Sequence, residues 1–170
     1  MCTDAELAAL VQEKLHEDPG FMPPTLAQSL GVPLGRLLAA LPQAMRSFAP
    51  GSDAIAIWEA MTEWEKVTFV ISSPGAVLEI SCRLPKGARG KNMYNLKDKE
   101  CPLGGHLLMD KVASVCFVSK PTRGRENHSV QFLDAQGGRC FAVYLGRNGR
   151  REIIPAVREG FLALKARYSV

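Results

Sequence analysis

The sequence of 170 residues is poor in the side chains that build metal and redox sites. It contains only three histidines, and no two of them have the H-x-x-x-H spacing of a catalytic zinc site. Its five cysteines are scattered without a C-x-x-C pair, a pattern typical of reduced thiols rather than of a zinc or disulfide framework. We therefore expect no zinc site.

The motifs of phosphate-binding loops and of hydrolases are missing as well. Neither G-x-x-x-x-G-K-[ST] nor G-x-G-x-x-G occurs, and the chain has no G-x-S-x-G elbow. No group of residues in the sequence therefore resembles a catalytic constellation. We predict no catalytic residue.

The sequence also lacks a long apolar run. Stretches such as residues 115–118 are far too short to cross a bilayer, and the N-terminal M-C-T-D-A-E-L is acidic where a secretion signal is basic. We expect a cytoplasmic chain with no membrane as partner. The net charge of +4 favours anionic partners in general and does not choose among them.

The first part of the chain has helical periodicity. Apolar residues at spacings of three and four predict a helix over residues 3–17, with Thr3 as its N-cap and Glu6 completing a capping box. Two shorter helices, over residues 25–30 and 33–41, are predicted to follow, with a glycine turn between them.

These two short helices are typical of a helix-turn-helix, which places its second helix in the major groove of DNA. That second helix offers only Arg36 as a cation, and one cation cannot supply the several phosphate contacts that useful affinity requires. We favour a helical cap that packs on the rest of the chain. A DNA-binding regulator remains an alternative, and nucleic acid is not an expected partner.

After residue 50 the pattern changes to short segments of β type, followed by an apolar stripe that predicts a closing helix over residues 155–168. The predicted strands are residues 55–60, 67–72, 77–84, 91–96, 106–110, 112–119, 129–134 and 139–145. Helices, then antiparallel strands, then a closing helix make an α+β fold. We divide it into a helical subdomain, residues 1–50, and a β domain with the C-terminal helix, residues 51–170.

Residues 86–109 gather the side-chain types that hold soft or borderline metals, together with several lysines and arginines. These residues fit a site in which a single protein side chain binds the iron of a haem. A haem needs an apolar slot, one axial side chain, and cations for its propionates. Tyr94 would bind ferric iron as phenolate beside a cation such as Arg89, or it is an ordinary strand aromatic. Cys101 and His106 are further candidates, each with a purely structural interpretation.

Five short motifs follow one another along the chain. They are L-P-x-G at 84–87, Y-N-L at 94–96, G-H-L at 105–107, G-R-E-N-H-S-V-Q-F at 124–132 and Y-L-G-R at 144–147. In this order they resemble the cytosolic haem-utilisation carriers of the HutX or ChuX family, and the likeness covers nearly the whole chain. The resemblance implies a mostly antiparallel β-sheet domain of the HemS/ChuX-like type and a homodimer. It also implies haem as a transient cargo, often passed to a haem-degrading enzyme, without catalysis by the carrier.

One segment departs from the family pattern. Where the family has H-G-Y-[FY]-N-L, this chain has K-N-M-Y-N-L, so Lys91 replaces the histidine and Met93 the first aromatic residue. The resemblance then makes Tyr94 the first choice for the iron ligand, with His106 and Met93 as alternatives. The expected propionate partners are Arg89, Lys91 and Arg125.

The sequence thus predicts an intracellular, homodimeric haem carrier that serves haem utilisation, haem transport, iron acquisition and protection from free haem. A haem-degrading or haem-reducing enzyme is the first alternative, because larger proteins of related fold have such activity.

Overall fold

The computed structural model describes residues 2–169, and within them the chain forms five α-helices and nine β-strands. The helices are α1 (Asp4–Glu17), α2 (Pro23–Leu30), α3 (Leu34–Ala40), α4 (Ala54–Met61) and α5 (Pro155–Ala166). The strands are β1 (Arg46–Pro50), β2 (Val67–Ser73), β3 (Ala76–Cys82), β4 (Gly87–Arg89), β5 (Tyr94–Leu96), β6 (Gly105–Leu107), β7 (Ser114–Ser119), β8 (His128–Leu133) and β9 (Arg139–Leu145). No helix of this part of the chain is long and apolar enough to cross a membrane.

Helix α1 begins at the predicted capping box. The Thr3 hydroxyl accepts from the Glu6 backbone N–H at 3.2 Å, and the Glu6 carboxylate accepts from the Thr3 N–H at 2.7 Å. Because two otherwise unpaired N–H groups are satisfied, the helix starts here. Between α2 and α3, Gly31 takes a left-handed conformation with φ of 63°, which confirms the predicted glycine turn.

Six strands form a large antiparallel sheet with the order β1-β7-β8-β9-β2-β3. One face carries an aromatic core against α4 and α5, in which Trp58, Phe132 and Phe161 are fully buried. On the other face, α1 to α3 cover part of β7 and β8, where Leu37 packs with Val118 and Leu133. The α+β fold with a closing helix is confirmed.

The remaining strands form a small antiparallel sheet with the order β4-β5-β6. Tyr94 pairs with Arg89 on one side and with Leu107 on the other, while Asn95 pairs with His106. Since paired residues of antiparallel strands share a face and neighbours along a strand alternate, Tyr94 and His106 lie on opposite faces. Tyr94 faces the core, and His106 faces outward.

One predicted strand is wrong. Residues 55–60 lie in helix α4, whose buried residues Ala54, Ile57, Trp58 and Met61 have helical spacing. A short apolar run such as A-I-A-I-W does not distinguish a buried strand from a buried helix by period alone, which explains the error. Strand β1 was not predicted; it pairs with β7 at an edge of the large sheet. The domain division at residue 50 stays a prediction.

Candidate functional site

A pocket of about 350 Å³ lies beside the small sheet. Its wall is formed by the β4–β5 hairpin, the start of α4 and the segment before β7, three parts of the chain far apart in sequence. Both apolar and polar residues line it. The lining residues are Gly51, Ser52, Ile55, Arg89, Gly90, Asn92, Met93, Tyr94, Met109, Asp110 and Val112.

Tyr94 is the most deeply placed of the predicted site residues in this pocket. The residue is only 1% exposed, and its hydroxyl donates a long hydrogen bond of 3.4 Å to the Glu59 carboxylate. Burial raises the pKa of the Tyr94 phenol above its ordinary value, the Glu59 charge adds to that rise, and Arg89 opposes it. The phenol is therefore neutral in the empty protein at neutral pH.

Gly87 explains how a tyrosine ring fits at this position. A Cβ atom on residue 87 would lie 2.5 Å from the Tyr94 ring and 2.5 Å from the Asn95 carbonyl oxygen. Any larger residue would therefore push the ring away from β4. The preceding Pro85 carbonyl accepts a 3.1 Å hydrogen bond from the Trp58 indole, which fixes this segment to α4. The L-P-x-G motif thus shapes the Tyr94 side of the pocket.

Arg89 and Met93 also line the pocket, and because both are exposed we call their side of the pocket its mouth. Arg89 lies directly across the hairpin from Tyr94, is exposed, and has no hydrogen-bond or ion-pair partner for its guanidinium among residues 2–169. The turn between them is closed by the Gly90 N–H, which donates to the Met93 carbonyl at 2.6 Å. Lys91 is exposed in that turn, next to the pocket but outside its lining.

His106 is not brought together with Tyr94. It is exposed on the outer face of the small sheet, where its Nδ1 lies 2.6 Å from the Asn95 side-chain oxygen. The cysteine candidate, Cys101, lies outside the pocket as well. Its thiol donates to the Arg83 carbonyl at 3.4 Å, and together with burial it raises the pKa of Cys82 to about 12.

Arg125 lies at the other end of the large sheet. It follows the C-terminal end of β7, whereas the pocket adjoins the N-terminal end of β7 at Val112. The six residues of β7 span roughly 16 Å at the usual rise per residue. The structure therefore does not bring Arg125 to Tyr94, although both were predicted for one site.

The nearby Lys120 is used within the fold. It is 3% exposed, and its ammonium donates to the carbonyl oxygens of Pro19, Phe21 and Pro121 at 2.6 to 2.8 Å. All three of its N–H groups are satisfied by these bonds, so the side chain fastens the α1–α2 connection to the end of β7.

Several residues of the pocket have no signal in the sequence. Ile55 lies in the segment that was mistaken for a strand, and Val112 comes from the connection before β7. Glu59, the partner of Tyr94, is separated from it by 35 positions. Only the tertiary arrangement brings these side chains together.

A second cavity of about 1010 Å³ lies over the part of the large sheet that α1 to α3 leave uncovered. Its floor is polar and includes Thr68, Ser129, Gln131 and Tyr144. The Gln131 amide donates to the Ser129 hydroxyl at 2.9 Å and to the Tyr144 hydroxyl at 3.3 Å, and its oxygen has no partner among the described residues. None of the residues predicted for the iron or its propionates lines this cavity.

The helix-turn-helix does not present a free cation. The Arg36 guanidinium donates to Asp4 at 2.6 Å and to the Cys2 carbonyl at 2.9 Å, so it joins α3 to the start of α1. The second helix therefore has no cation left for DNA phosphates, and its buried Leu34, Leu37 and Leu38 pack inward.

Comparison with known proteins identifies relatives over nearly the whole chain. Residues 47–164 match the family described as haem utilisation ChuX/HutX. The intracellular heme transport protein HutX of Vibrio cholerae is 35% identical over 166 residues, 98% of this chain and 86% of that protein.

Solved structures of similar fold are also known. A protein of Erwinia carotovora has a TM-score of 0.86 and 27% identity, with 99% of each chain covered. The heme binding protein ChuX has a TM-score of 0.83 and 23% identity, with 92% of this chain and 97% of that chain covered. The family match over most of the chain and the relative at 35% identity agree with the motifs at 84–87, 94–96 and 124–132. The chain therefore belongs to the ChuX/HutX haem utilisation family.

Proposed function

We propose that this protein is an intracellular carrier that binds haem transiently in the small-sheet pocket and passes it on. The observation that carries the proposal is the grouping of a phenol, an exposed guanidinium and apolar side chains in one pocket. Tyr94, Arg89 and the side chains of Ile55, Met109 and Val112 supply these parts. Membership of a family named for haem utilisation, and a relative named a heme transport protein, support the same conclusion.

The residues present fit a haem. Haem supplies an iron that takes one axial protein ligand, and Tyr94 is the least exposed of the predicted ligands that line the pocket. Met93, 42% exposed at the mouth, offers a thioether as the alternative in the same pocket. His106 would have to act from the outer face, so we rank it after both.

The propionates of haem are expected at the mouth. The exposed Arg89 guanidinium can donate two parallel hydrogen bonds to a carboxylate, and Lys91, in the β4–β5 turn, offers a point charge. Arg125 does not take part, because it lies at the opposite end of β7. A pocket of about 350 Å³ is at the small end for a ligand site, so part of the macrocycle remains outside. That exposure suits a cargo that must be released.

The carrier is proposed to be a cytoplasmic homodimer. Strand β3 forms one edge of the large sheet, and its Val77 and Leu78 are 62% and 58% exposed. An exposed apolar edge strand is a template for pairing with another chain, and a second copy would cover it. Light scattering should then give twice the mass of one chain. A haem-degrading enzyme is the recipient that the family resemblance implies.

The proposal assigns no catalytic residue, and it predicts that the bound haem survives. In the protein loaded with ferric haem, addition of ascorbate in air should leave the haem absorbance intact after reoxidation. Bleaching with release of free iron would instead assign a haem-degrading activity.

The direct test is an absorbance titration of the purified protein with ferric haem. The carrier predicts saturation near one haem per chain, with a Soret band shifted from that of free haem. A spectrum identical to that of free haem throughout the titration would refute the proposal.

A further inference from the structure

Four arginines form a patch at the end of the large sheet opposite the haem pocket. The arginine patch consists of Arg123 and Arg125 in the β7–β8 connection and Arg150 and Arg151 in the connection after β9. All four are exposed, and none of their guanidinium groups has a hydrogen-bond or ion-pair partner within the part of the chain that the structure describes. Four guanidinium groups without a partner in the described chain therefore lie on these two connections.

The two connections are held against each other. The Arg147 guanidinium donates to the Arg151 carbonyl at 3.1 Å and to the Glu126 carbonyl at 2.6 Å. Arg158 on α5 also donates to the Glu126 carboxylate. Because one side chain bonds both connections, the patch is a preformed surface rather than two independent loops.

Backbone conformation gives a second, independent observation. Arg123 and Arg151 have φ of 51° and 62°, and they are the non-glycine residues with positive φ between residues 2 and 169. Both therefore occupy the left-handed region, where glycine or asparagine is favoured and an arginine costs free energy. Arg123 and Gly124 form the centre of a tight turn between Thr122 and Arg125, a place where Asn-Gly is preferred. The turns alone do not explain arginine at either position.

We propose that the arginine patch is a docking surface for an acidic protein, one that presents clustered carboxylates. Guanidinium groups pair with carboxylates in a bidentate manner, and arginine is enriched at protein interfaces. A carrier must pass its haem to a recipient, and we identify the acidic protein as that recipient; this identification rests on the proposed function. Binding of an acidic protein to the patch does not depend on the proposed function.

Other polyanions fit the patch less well. Residues 120–127 and 146–153 contain no aromatic side chain on which nucleic-acid bases could stack. None of the exposed large apolar side chains of the described chain lies in them, so nothing inserts into a lipid surface.

The test uses the double substitution Arg123→Asn and Arg151→Asn in the full chain. Asparagine tolerates positive φ, so the turns are kept while two charges are removed. The matched control is Lys97→Gln with Lys99→Gln, which removes two exposed charges outside the patch. Binding of a labelled octaglutamate peptide is measured by fluorescence anisotropy at low and high salt, beside duplex DNA and vesicles of phosphatidylcholine and phosphatidylserine.

The patch predicts that peptide affinity falls roughly tenfold in the asparagine variant and that the control keeps the affinity of the unmodified chain. An equal loss of peptide affinity in both variants would show that the affinity depends on net charge alone, and this would overturn the proposal. A loss confined to DNA or to vesicles would overturn it too, because the partner would then be of another class. Ferric haem titrations should be the same for both variants, which separates failure of the patch from failure of the haem pocket.

Discussion

The two sheets of this protein differ in what holds them and in what they carry. The large sheet has strands of five to seven residues and an aromatic core in which Trp58, Phe69 and Phe141 lie in edge or stacked contact. Each strand of the small sheet has three residues, and the buried ones are Tyr94 and Leu96 in β5 and Leu107 in β6. The small sheet nevertheless supplies the phenol and the guanidinium of the candidate haem site. Stability and chemistry are therefore separated in this fold.

This separation gives the site its adaptability. Lys91 and Met93, which differ from the histidine and aromatic residue that the resemblance leads us to expect, lie in the exposed β4–β5 turn, where a change disturbs little of the core. Tyr94 is different, because its ring packs against Gly87 and its side chain is buried. Tyr94 is therefore an aromatic residue that the packing of the fold also requires.

The largest expected effect is on the large sheet. Phe132→Ala removes a fully buried ring whose centroid lies 4.5 Å from that of Phe141, and we expect a loss of about 3–5 kcal/mol in the free energy of unfolding. Urea denaturation followed by circular dichroism measures it. A loss below about 1 kcal/mol would refute the contrast between the two sheets, because the large sheet would then not supply most of the stability.

Much of the large sheet could be predicted from the sequence. Strand β9 has the predicted bounds, and β2, β7 and β8 differ from theirs by one or two residues, because alternation and flanking turns are local signals. Helix α4 and β1 could not be predicted. A short apolar run gives no period, and β1 is recognised as a strand only through its pairing with β7.

The candidate site was predicted only in part. The resemblance pointed to Tyr94, Met93 and Arg89, and the structure places all three at one pocket. It could not show that His106 faces outward, because the face depends on the β5–β6 register, in which Leu107 rather than His106 opposes Tyr94. Nor could the sequence separate Arg125 from the pocket, since that requires knowing which end of β7 each connection meets.

A smaller effect should appear with pH, again in the large sheet. Burial lowers the pKa of His128 below its ordinary value of 6.5, with Arg158 and Lys165 adding to the decrease and Glu126 opposing it. The unfolded chain therefore binds the proton first, and stability falls as the pH drops below 6.5, by about 1.4 kcal/mol for each unit of pKa difference. The pKa of Glu126 is also lowered, by its bonds to Arg158 and His128, which adds a loss below pH 4.5.

Thermal denaturation between pH 7 and pH 5 measures this dependence, with His128→Gln as the control. The glutamine variant should have a flatter profile in that range, because the titrating group is gone. An unchanged slope would show that His128 is not responsible for the acid sensitivity.

If the small sheet binds the iron of haem through Tyr94, the spectrum of the protein with ferric haem must change in Tyr94→Phe. The substitution removes one hydroxyl with a 3.4 Å hydrogen bond, so the free energy of unfolding should fall by less than about 1 kcal/mol. We expect the phenolate-to-iron charge-transfer band of the unmodified chain to disappear in Tyr94→Phe, while His106→Gln, on the outer face, keeps it. A spectrum unchanged in Tyr94→Phe would show that Tyr94 does not bind the iron.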